Sequence, residues 1–183
     1  MSSNHQITKS PNHQIRRWLL GAYTVEMLAL AVWTGGLIVI VAVVIPAVFN
    51  SFSMEAGGRF LTKTFDGYNR IVLVAMAIMG GAIGARVWLA QTAGVPGAMP
   101  GRTEAVLFGL MVLVAIAIIA VLGPQSVALQ EEAFTAKDEV TRKTAYDAFF
   151  HVHTIVRGLY LVNLGLGLGL MTVRLKSFLK KEC

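Results

Sequence analysis

The sequence predicts an all-α integral membrane protein, a four-helix bundle with both termini in the cytoplasm. Three observations predict this fold. The chain has four apolar stretches of about eighteen residues or more, and its composition is 55% apolar and only 14% charged. Within these stretches apolar and polar residues do not alternate with a period of two, as they would in the strands of a barrel. Each stretch can cross a hydrocarbon layer of about 30 Å, because a spanning helix needs roughly twenty residues. The composition excludes a soluble domain with a polar surface.

The predicted spans are the apolar stretches at residues 18–45, 71–89, 105–122 and 148–173. Together they form one transmembrane domain over residues 18–175. The first span contains a single charged residue, Glu26. All backbone groups inside lipid must be paired within the chain, so continuous apolar runs are expected to be helical.

The connections between the spans differ in character. Residues 92–101, between the second and third spans, form a Gly/Pro turn cluster without chemical groups of interest. Residues 50–70 mix turn residues with apolar anchors. Gly123-Pro124 is expected to end a helix, and residues 130–150 to form one amphipathic helix that leads into the fourth span. The predicted external face therefore carries the longer polar segments, with Asp66, Arg70 and His151 among its residues.

Both tails are expected to lie outside the bundle. Asn4-His5-Gln6-Ile7 recurs as Asn12-His13-Gln14-Ile15, a repeat that a tandem array of eight nucleotides read in three frames can encode. We therefore interpret residues 1–17 as a disordered tail derived from repeat DNA, which removes its two histidines as ligand candidates. Residues 176–183 form a basic cytoplasmic tail.

The formal net charge of +6 is explained by topology, and no nucleic-acid partner is predicted. With a cytoplasmic N-terminus, that side receives more basic residues close to the spans than the opposite side does, namely Lys9, Arg16, Arg17, Arg86, Arg102, Arg174, Lys176, Lys180 and Lys181. The positive-inside rule then places both termini in the cytoplasm. We predict a multi-pass protein of the bacterial cytoplasmic (inner) membrane.

Polar residues inside the spans are the candidate functional residues. Glu26 should point into the bundle, because a charged group in lipid costs several kcal/mol unless it is paired, protonated or hydrated. Arg157, Tyr160 and Asn163 follow at intervals of three, near one face of the fourth span, and His153 lies four residues before Arg157. These five residues form a predicted buried polar column. Either Glu26 and Arg157 only satisfy each other, or the column is a proton, ion or ligand path.

Two cofactor hypotheses involve the histidines and methionines. His151 and His153 are two apart and point away from each other on a helix, and no other span offers a histidine, so haem is not expected within the chain alone. Met76 and Met79 share one face of the second span, and with His153 they could bind Cu(I), a soft cation. Methionine is also an ordinary filler of apolar positions, so no cofactor is predicted and copper is the alternative.

Glycines four apart suggest close helix approach. Gly80 and Gly84 have this spacing in the second span, and Gly165 and Gly169 have it in the fourth. We interpret these glycine-rich faces as packing surfaces. Besides the lipid bilayer, the expected partners are other membrane subunits, contacted through these faces and through the external loops.

Several short motifs resemble a known four-span family of unknown function. They are Leu30-Ala-Val-Trp33-Thr-Gly-Gly36 with Pro46-Ala-Val-Phe49, Phe65-Asp-Gly-Tyr68-Asn-Arg70, Gly123-Pro124 with Leu129, and Phe150 to His153 with Asn163. The chain is similar over about residues 18–175 to the bacterial relatives of transmembrane protein 205, and more distantly to the copper-resistance-D membrane family. The resemblance implies the fold and a role in metal or drug tolerance, but no reaction.

Three functional classes follow from these observations. The leading hypothesis is an accessory or structural subunit of a larger membrane complex. The alternative is a small transporter or a copper- or metal-tolerance protein that uses the column through Glu26, Arg157 and Asn163. An enzyme is not expected, because no segment pairs a nucleophile with a base or offers a closed set of metal ligands.

Overall fold

The protein, in a computed structural model that describes residues 11–95 and 98–182, is all helical, and this part of the chain contains no strand. Its helices are α1 (Pro11–Val39), α2 (Ile45–Ser51), α3 (Met54–Thr92), α4 (Arg102–Ala117), α5 (Gly123–Thr135) and α6 (Glu139–Glu182). Single π-helical turns join α1 to α2 and α4 to α5, at Ile40–Val44 and Ile118–Leu122.

Four continuous helices result, each long and apolar enough to cross a membrane. We number these spans one to four: Gln14–Ser51, Met54–Thr92, Arg102–Thr135 and Glu139–Ser177. The predicted fold class, an all-α bundle of four membrane-spanning helices, is confirmed. All four spans extend beyond the apolar stretches of the sequence, because a helix continues past the hydrocarbon layer into its polar flanks.

Proline explains both π-helical turns. Pro46 and Pro124 each lie in the first turn of the helix that follows the widened turn. A proline inside a helix lacks the N–H group, and its ring meets the carbonyl four residues earlier. A π turn relieves this by shifting the hydrogen bonds, and the N–H groups of Ile45 and Gly123 donate to carbonyl oxygens five residues back. The prediction that Gly123-Pro124 ends a helix is therefore wrong.

Two predicted connections are also shorter than expected. Only residues 52 and 53 separate spans one and two, and Ser53 Oγ accepts from Ala56 N at 3.5 Å as the cap of α3. The amphipathic helix predicted over residues 130–150 is interrupted between Thr135 and Glu139. At this break the Asp138 carboxylate accepts from Thr141 N at 2.8 Å, because a helix start leaves its first N–H groups without helical partners.

The predicted tails are partly helical. Span one's helix begins at Pro11, so residues 11–17 belong to α1, and residues 1–10 of the predicted disordered tail lie outside the described residues. Proline suits the first position of a helix, since its N–H would have no partner there. At the other end of the chain, α6 continues to Glu182 through the predicted basic tail.

Successive spans run antiparallel. Span one packs against spans two and four, and span three packs against span four. The backbones of spans two and three stay farther apart, and side chains such as Arg59 and Glu131 bridge them. Span one begins and span four finishes on the same side of the bundle, which we call the terminal end. The opposite side is the distal end.

The two halves of the bundle repeat one pattern of burial. In the odd spans, a buried position of span one corresponds to a buried position of span three 78 residues later. The matching residues are Glu26, Trp33, Leu37, Ile40 and Val48 in span one, and Glu104, Met111, Ala115, Ile118 and Ser126 in span three. In the even spans, buried positions of span two correspond to buried positions of span four 88 residues later. The matching residues are Gly57, Tyr68, Ala75, Met79 and Arg86 in span two, and Ala145, Val156, Asn163, Gly167 and Arg174 in span four. The bundle is therefore two helical hairpins with the same register of inward-facing positions.

Candidate functional site

Four charged side chains meet inside the terminal end of the bundle. They are Glu26, Arg86, Glu104 and Arg174, one from each span, and we call them the ionic ring. Each of the four residues is more than nine-tenths buried. The repeated register of the two hairpins explains the arrangement, because each hairpin places a glutamate near the start of its first span and an arginine near the end of its second.

The ion pairs of the ring form a closed circuit. Arg86 Nη1 lies 2.9 Å from Glu26 Oε2 and 2.6 Å from Glu104 Oε1. Arg174 Nη2 lies 2.9 Å from Glu104 Oε1, and Arg174 Nη1 contacts Glu26 Oε2. Each arginine thus bridges both glutamates, and the formal charges cancel. This pairing matters because an uncompensated buried charge is strongly destabilising.

The connection between spans two and three contacts the ring at Ala98. Arg86 Nε donates to the carbonyl of Ala98 at 3.2 Å, and Ala98 itself is fully buried. On the other side, Arg86 Cζ lies 4.1 Å from the centroid of the Tyr23 ring, within range of a cation–π interaction. The side chains of this connection predicted no chemical role, but its backbone supplies a hydrogen-bond acceptor to Arg86.

The predicted pairing of Glu26 with Arg157 is wrong. Glu26 pairs with Arg86 and Arg174, whereas Arg157 is exposed and lies roughly 25 Å from Arg174 along the same helix. Asn163 is also not level with Glu26, since it lies roughly 16 Å before Arg174. The ends of the apolar runs do not give the depth of a residue in the bundle, because the helices extend past those ends.

Two column residues, Tyr160 and Asn163, belong to a separate polar layer, which consists of Tyr68, Asn69, Tyr160 and Asn163. Tyr160 Oη donates to Asn69 Oδ1 at 2.9 Å, and Tyr68 Oη donates to the carbonyl of Trp33 at 2.9 Å. Asn163 Nδ2 donates to a span-three carbonyl, that of Met111, at 3.1 Å. The structure therefore places Tyr160 and Asn163 together, but away from Glu26.

An apolar layer separates the polar layer from the ionic ring. It contains one fully buried side chain from each span, and these are Leu30, Met79, Met111 and Leu170. On every span this residue lies between the ring position and the nearest polar-layer or cavity-lining position. The ionic ring and the polar layer thus lie at separate levels and do not form one continuous column.

The proposed copper ligands lie at different levels of the bundle. His153 is half-buried and stacks on Phe149, with ring centroids 5.1 Å apart, on the distal side of the polar layer. Met79 lies on the terminal side in the apolar layer, and Met76 lies one turn nearer the distal end. Tyr160 and Asn69 are in contact, and His153 lies on the distal side of this contact while Met79 lies on its terminal side. At the rise of an α-helix, His153 and Met79 are therefore roughly 25 Å apart along the bundle. These residues do not line one site, and copper binding stays a prediction.

The distal half carries exposed polar residues. Asp66 and Arg70 form an exposed ion pair with Oδ2 and Nη2 2.9 Å apart, and His151 is exposed. Nearer the distal end, Arg59 Nη1 lies 2.6 Å from Glu131 Oε2. Exposed pairs of this kind contribute about 0–1 kcal/mol. The Arg59–Glu131 pair connects spans two and three, whereas Asp66 and Arg70 lie one turn apart on the same helix.

The glycines divide into close contacts and outward-facing positions. A Cβ at Gly36 would lie 3.2 Å from the Tyr68 ring, and a Cβ at Gly167 would overlap Thr34 Cγ2. By contrast, a Cβ at the predicted packing glycines Gly80, Gly84, Gly165 and Gly169 would meet nothing within 4 Å. Those four do not mediate packing within the chain.

The sequence did not identify Arg86, Glu104 and Arg174 as ring residues, because all three lie near the ends of apolar runs. Charged residues at the ends of a span usually set the orientation of the protein in the membrane. Two signals were present in the sequence. A glutamate and a proline twenty residues later occur in both odd spans, at Glu26 with Pro46 and at Glu104 with Pro124. Both even spans also end near a single arginine. A search for internal repeats would have aligned these positions.

The fold and the ring define a class of protein, a four-span helical membrane protein whose spans are joined by buried ion pairs. Residues 28–135 match a family described as a domain of unknown function, DUF4149, and the chain belongs to that family. The matched segment contains two ring residues, Arg86 and Glu104, while Glu26 and Arg174 lie outside it. No curated protein and no solved structure matches the chain.

Proposed function

We propose that this protein is a non-catalytic accessory or structural subunit of a larger membrane assembly. The observation that carries the proposal is the ionic ring, which connects all four spans through paired charges. A subunit of this kind must present a fixed outer surface to its partners. A ring with one member on each span favours a single arrangement of the helices, because any other register leaves a charge unpaired inside the membrane.

The filled interior supports the same role. Above the ring, the apolar layer closes the bundle with four fully buried side chains. The charged groups of the ring are paired with each other, and Tyr68 Oη and Asn163 Nδ2 donate to backbone carbonyls. Interaction with other molecules is therefore expected at the outer surface of the bundle.

The outward-facing glycines are the expected contact surface for another membrane helix. Gly80, Gly81 and Gly84 on span two leave the backbone uncovered, and Gly165 does so on span four. Small residues at this spacing let a neighbouring helix approach closely, and this close van der Waals contact is the main source of helix association in lipid. A partner subunit would gain more contact here than on the branched side chains elsewhere.

We place the protein in the bacterial cytoplasmic membrane with both termini in the cytoplasm. Two of the basic residues counted toward this topology, Arg86 and Arg174, are buried in the ring and do not reach the headgroups. The bias survives without them, because the terminal end keeps Lys9, Arg16, Arg17, Arg102, Lys176, Lys180 and Lys181.

A small transporter is the second candidate, and the polar layer is the observation that favours it. Tyr160 and Asn163 place hydrogen-bonding groups deep inside the bundle, where a solute could bind. Transport would require the apolar layer and the ring to open, which separates at least four ion pairs. The accessory role needs no such motion, and for this reason we rank it first.

The experiment that tests the proposal combines purification with site-specific crosslinking. In a Cys183→Ser background, a photocrosslinker at position 80 is compared with one at position 113, where Leu113 is an exposed apolar residue on span three. We expect a defined partner to co-purify in mild detergent and to crosslink through position 80 more than through position 113. A single species without partners that moves a solute across proteoliposomes would contradict the accessory role and favour the transporter.

A further inference from the structure

A small cavity lies at the level of the polar layer. Its volume is about 10 Å³, and residues from all four spans line it, including Trp33, Tyr68, Asn69, Ala115, Tyr160 and Asn163. A cavity needs about 10–15 Å³ of this kind of volume to hold one water molecule. The space is therefore suited to a ligand of one heavy atom and too small for a larger solute.

One buried acceptor in this cavity has no partner within the protein. Asn163 is more than nine-tenths buried, and its Nδ2 donates to Met111 O, but its Oδ1 accepts no hydrogen bond from the described residues. An amide oxygen that is buried without a hydrogen bond destabilises the folded state. A ligand that donates a hydrogen bond would remove this cost.

The neighbouring tyrosine and asparagine supply further partners for such a ligand. Tyr160 Oη uses its proton in the bond to Asn69 Oδ1, so its oxygen keeps a lone pair for accepting. The amide group of Asn69 keeps its N–H donors. One small molecule between these groups could donate to Asn163 and Tyr160 and accept from Asn69, within the usual two to four bonds of a buried water.

Comparison of the two hairpins shows that two residues lining the cavity differ from their matching positions. Asn163 matches Ala75 of the first hairpin, and Ala115 matches Leu37. The shorter Ala115 side chain leaves space that Leu37 fills on the other side, and Asn163 makes that space polar. The cavity is thus a specific departure from the repeated pattern of burial.

We infer that this cavity is a binding site for one ordered water molecule, held by Asn163 Oδ1 together with Tyr160 and Asn69. The ligand is neutral, because the polar layer contains no formally charged side chain to pair with an ion. The bound water adds a bridge between spans two and four beside the direct bond from Tyr160 to Asn69. The site is independent of the accessory role and of the ionic ring.

Radiolytic hydroxyl footprinting of the full chain in nanodiscs tests this inference, because radicals form from water at the place where it is bound. We expect modification of Tyr160, which is only partly exposed, with Met79 as an internal control. Met79 is fully buried in the apolar layer and should stay unmodified. An unmodified Tyr160 in the unaltered protein would overturn the inference.

Two variants make the result specific. Ala115→Leu copies the side chain of the matching position and fills the cavity, and Asn163→Leu removes the acceptor at nearly constant volume. Both should lose the Tyr160 modification. If one variant fails to fold, the other still decides the matter, and Tyr160 labelling that persists in the folded Ala115→Leu protein would contradict a bound water at this site.

Discussion

Glu26 and Arg174, near opposite ends of the chain, form an ion pair inside the bundle. The pair joins span one to span four, and Arg86 and Glu104 close it into a ring that includes every span. Because the paired groups are withdrawn from both water and lipid, the ring has sharper consequences for mutation than surface charges have.

Glu26→Gln should destabilise the bundle by about 3–5 kcal/mol, because it leaves two buried arginines with one carboxylate. The double change Glu26→Gln with Arg174→Met should recover most of the loss, since it restores the balance of charge. Thermal unfolding of the purified protein in detergent measures both. Arg157→Met is the matched control. Its free energy of unfolding should lie within about 0.5 kcal/mol of that of the unaltered protein, because Arg157 is exposed. A double variant as unstable as the single one would argue against direct coupling of the pair.

Gly167→Ala should cost about 1–3 kcal/mol, the usual range for overpacking, because the added methyl group overlaps Thr34 Cγ2. Adding Thr34→Ser removes that Cγ2 and keeps the hydroxyl that donates to Leu30 O at 2.8 Å, so it should recover stability. Gly165→Ala, where a Cβ meets nothing within 4 Å, is the control. Equal melting temperatures of the two alanine variants would contradict the close approach of spans one and four.

Gly123→Ala should destabilise the distal half of span three, since its Cβ would lie 2.8 Å from the carbonyl oxygen of Ile118. The clash is with backbone, so no side-chain rotation relieves it, and the π turn must change. Hydrogen exchange of residues 118–135 should accelerate. Gly109→Ala, in the regular part of α4 with open space around the Cβ, should leave the exchange of this segment unchanged.

The Asp138 cap should make the start of α6 sensitive to pH. The backbone N–H of Thr141 donates to the Asp138 carboxylate and lowers the pKa of that group below its ordinary value of 3.8. Stability from this cap is therefore fully present above pH 3.8 and is lost as the pH falls through the lowered pKa. Faster amide exchange at residues 139–142 should appear in Asp138→Ala at neutral pH, and much less in Asp138→Asn, whose side chain can also cap.

Topology is tested by cysteine labelling in the Cys183→Ser background. A cysteine at position 137 should react with a membrane-impermeant maleimide in intact cells, whereas one at position 102 should react only after the cell interior is opened. The expected difference follows from the excess of basic residues at the terminal end. Reversed labelling of the two positions would place the termini outside.

The sequence determined the number of spans and their helical state, because both depend on the length and composition of local apolar runs. The tertiary structure decided which charges meet. Burial of Glu26 followed from its position inside a span, but its partners depend on how each helix is rotated and how far each extends beyond its apolar run. Arg86, Glu104 and Arg174 looked like boundary residues for that reason. The polar layer likewise required the register between spans two and four, which is a long-range property that no single segment encodes.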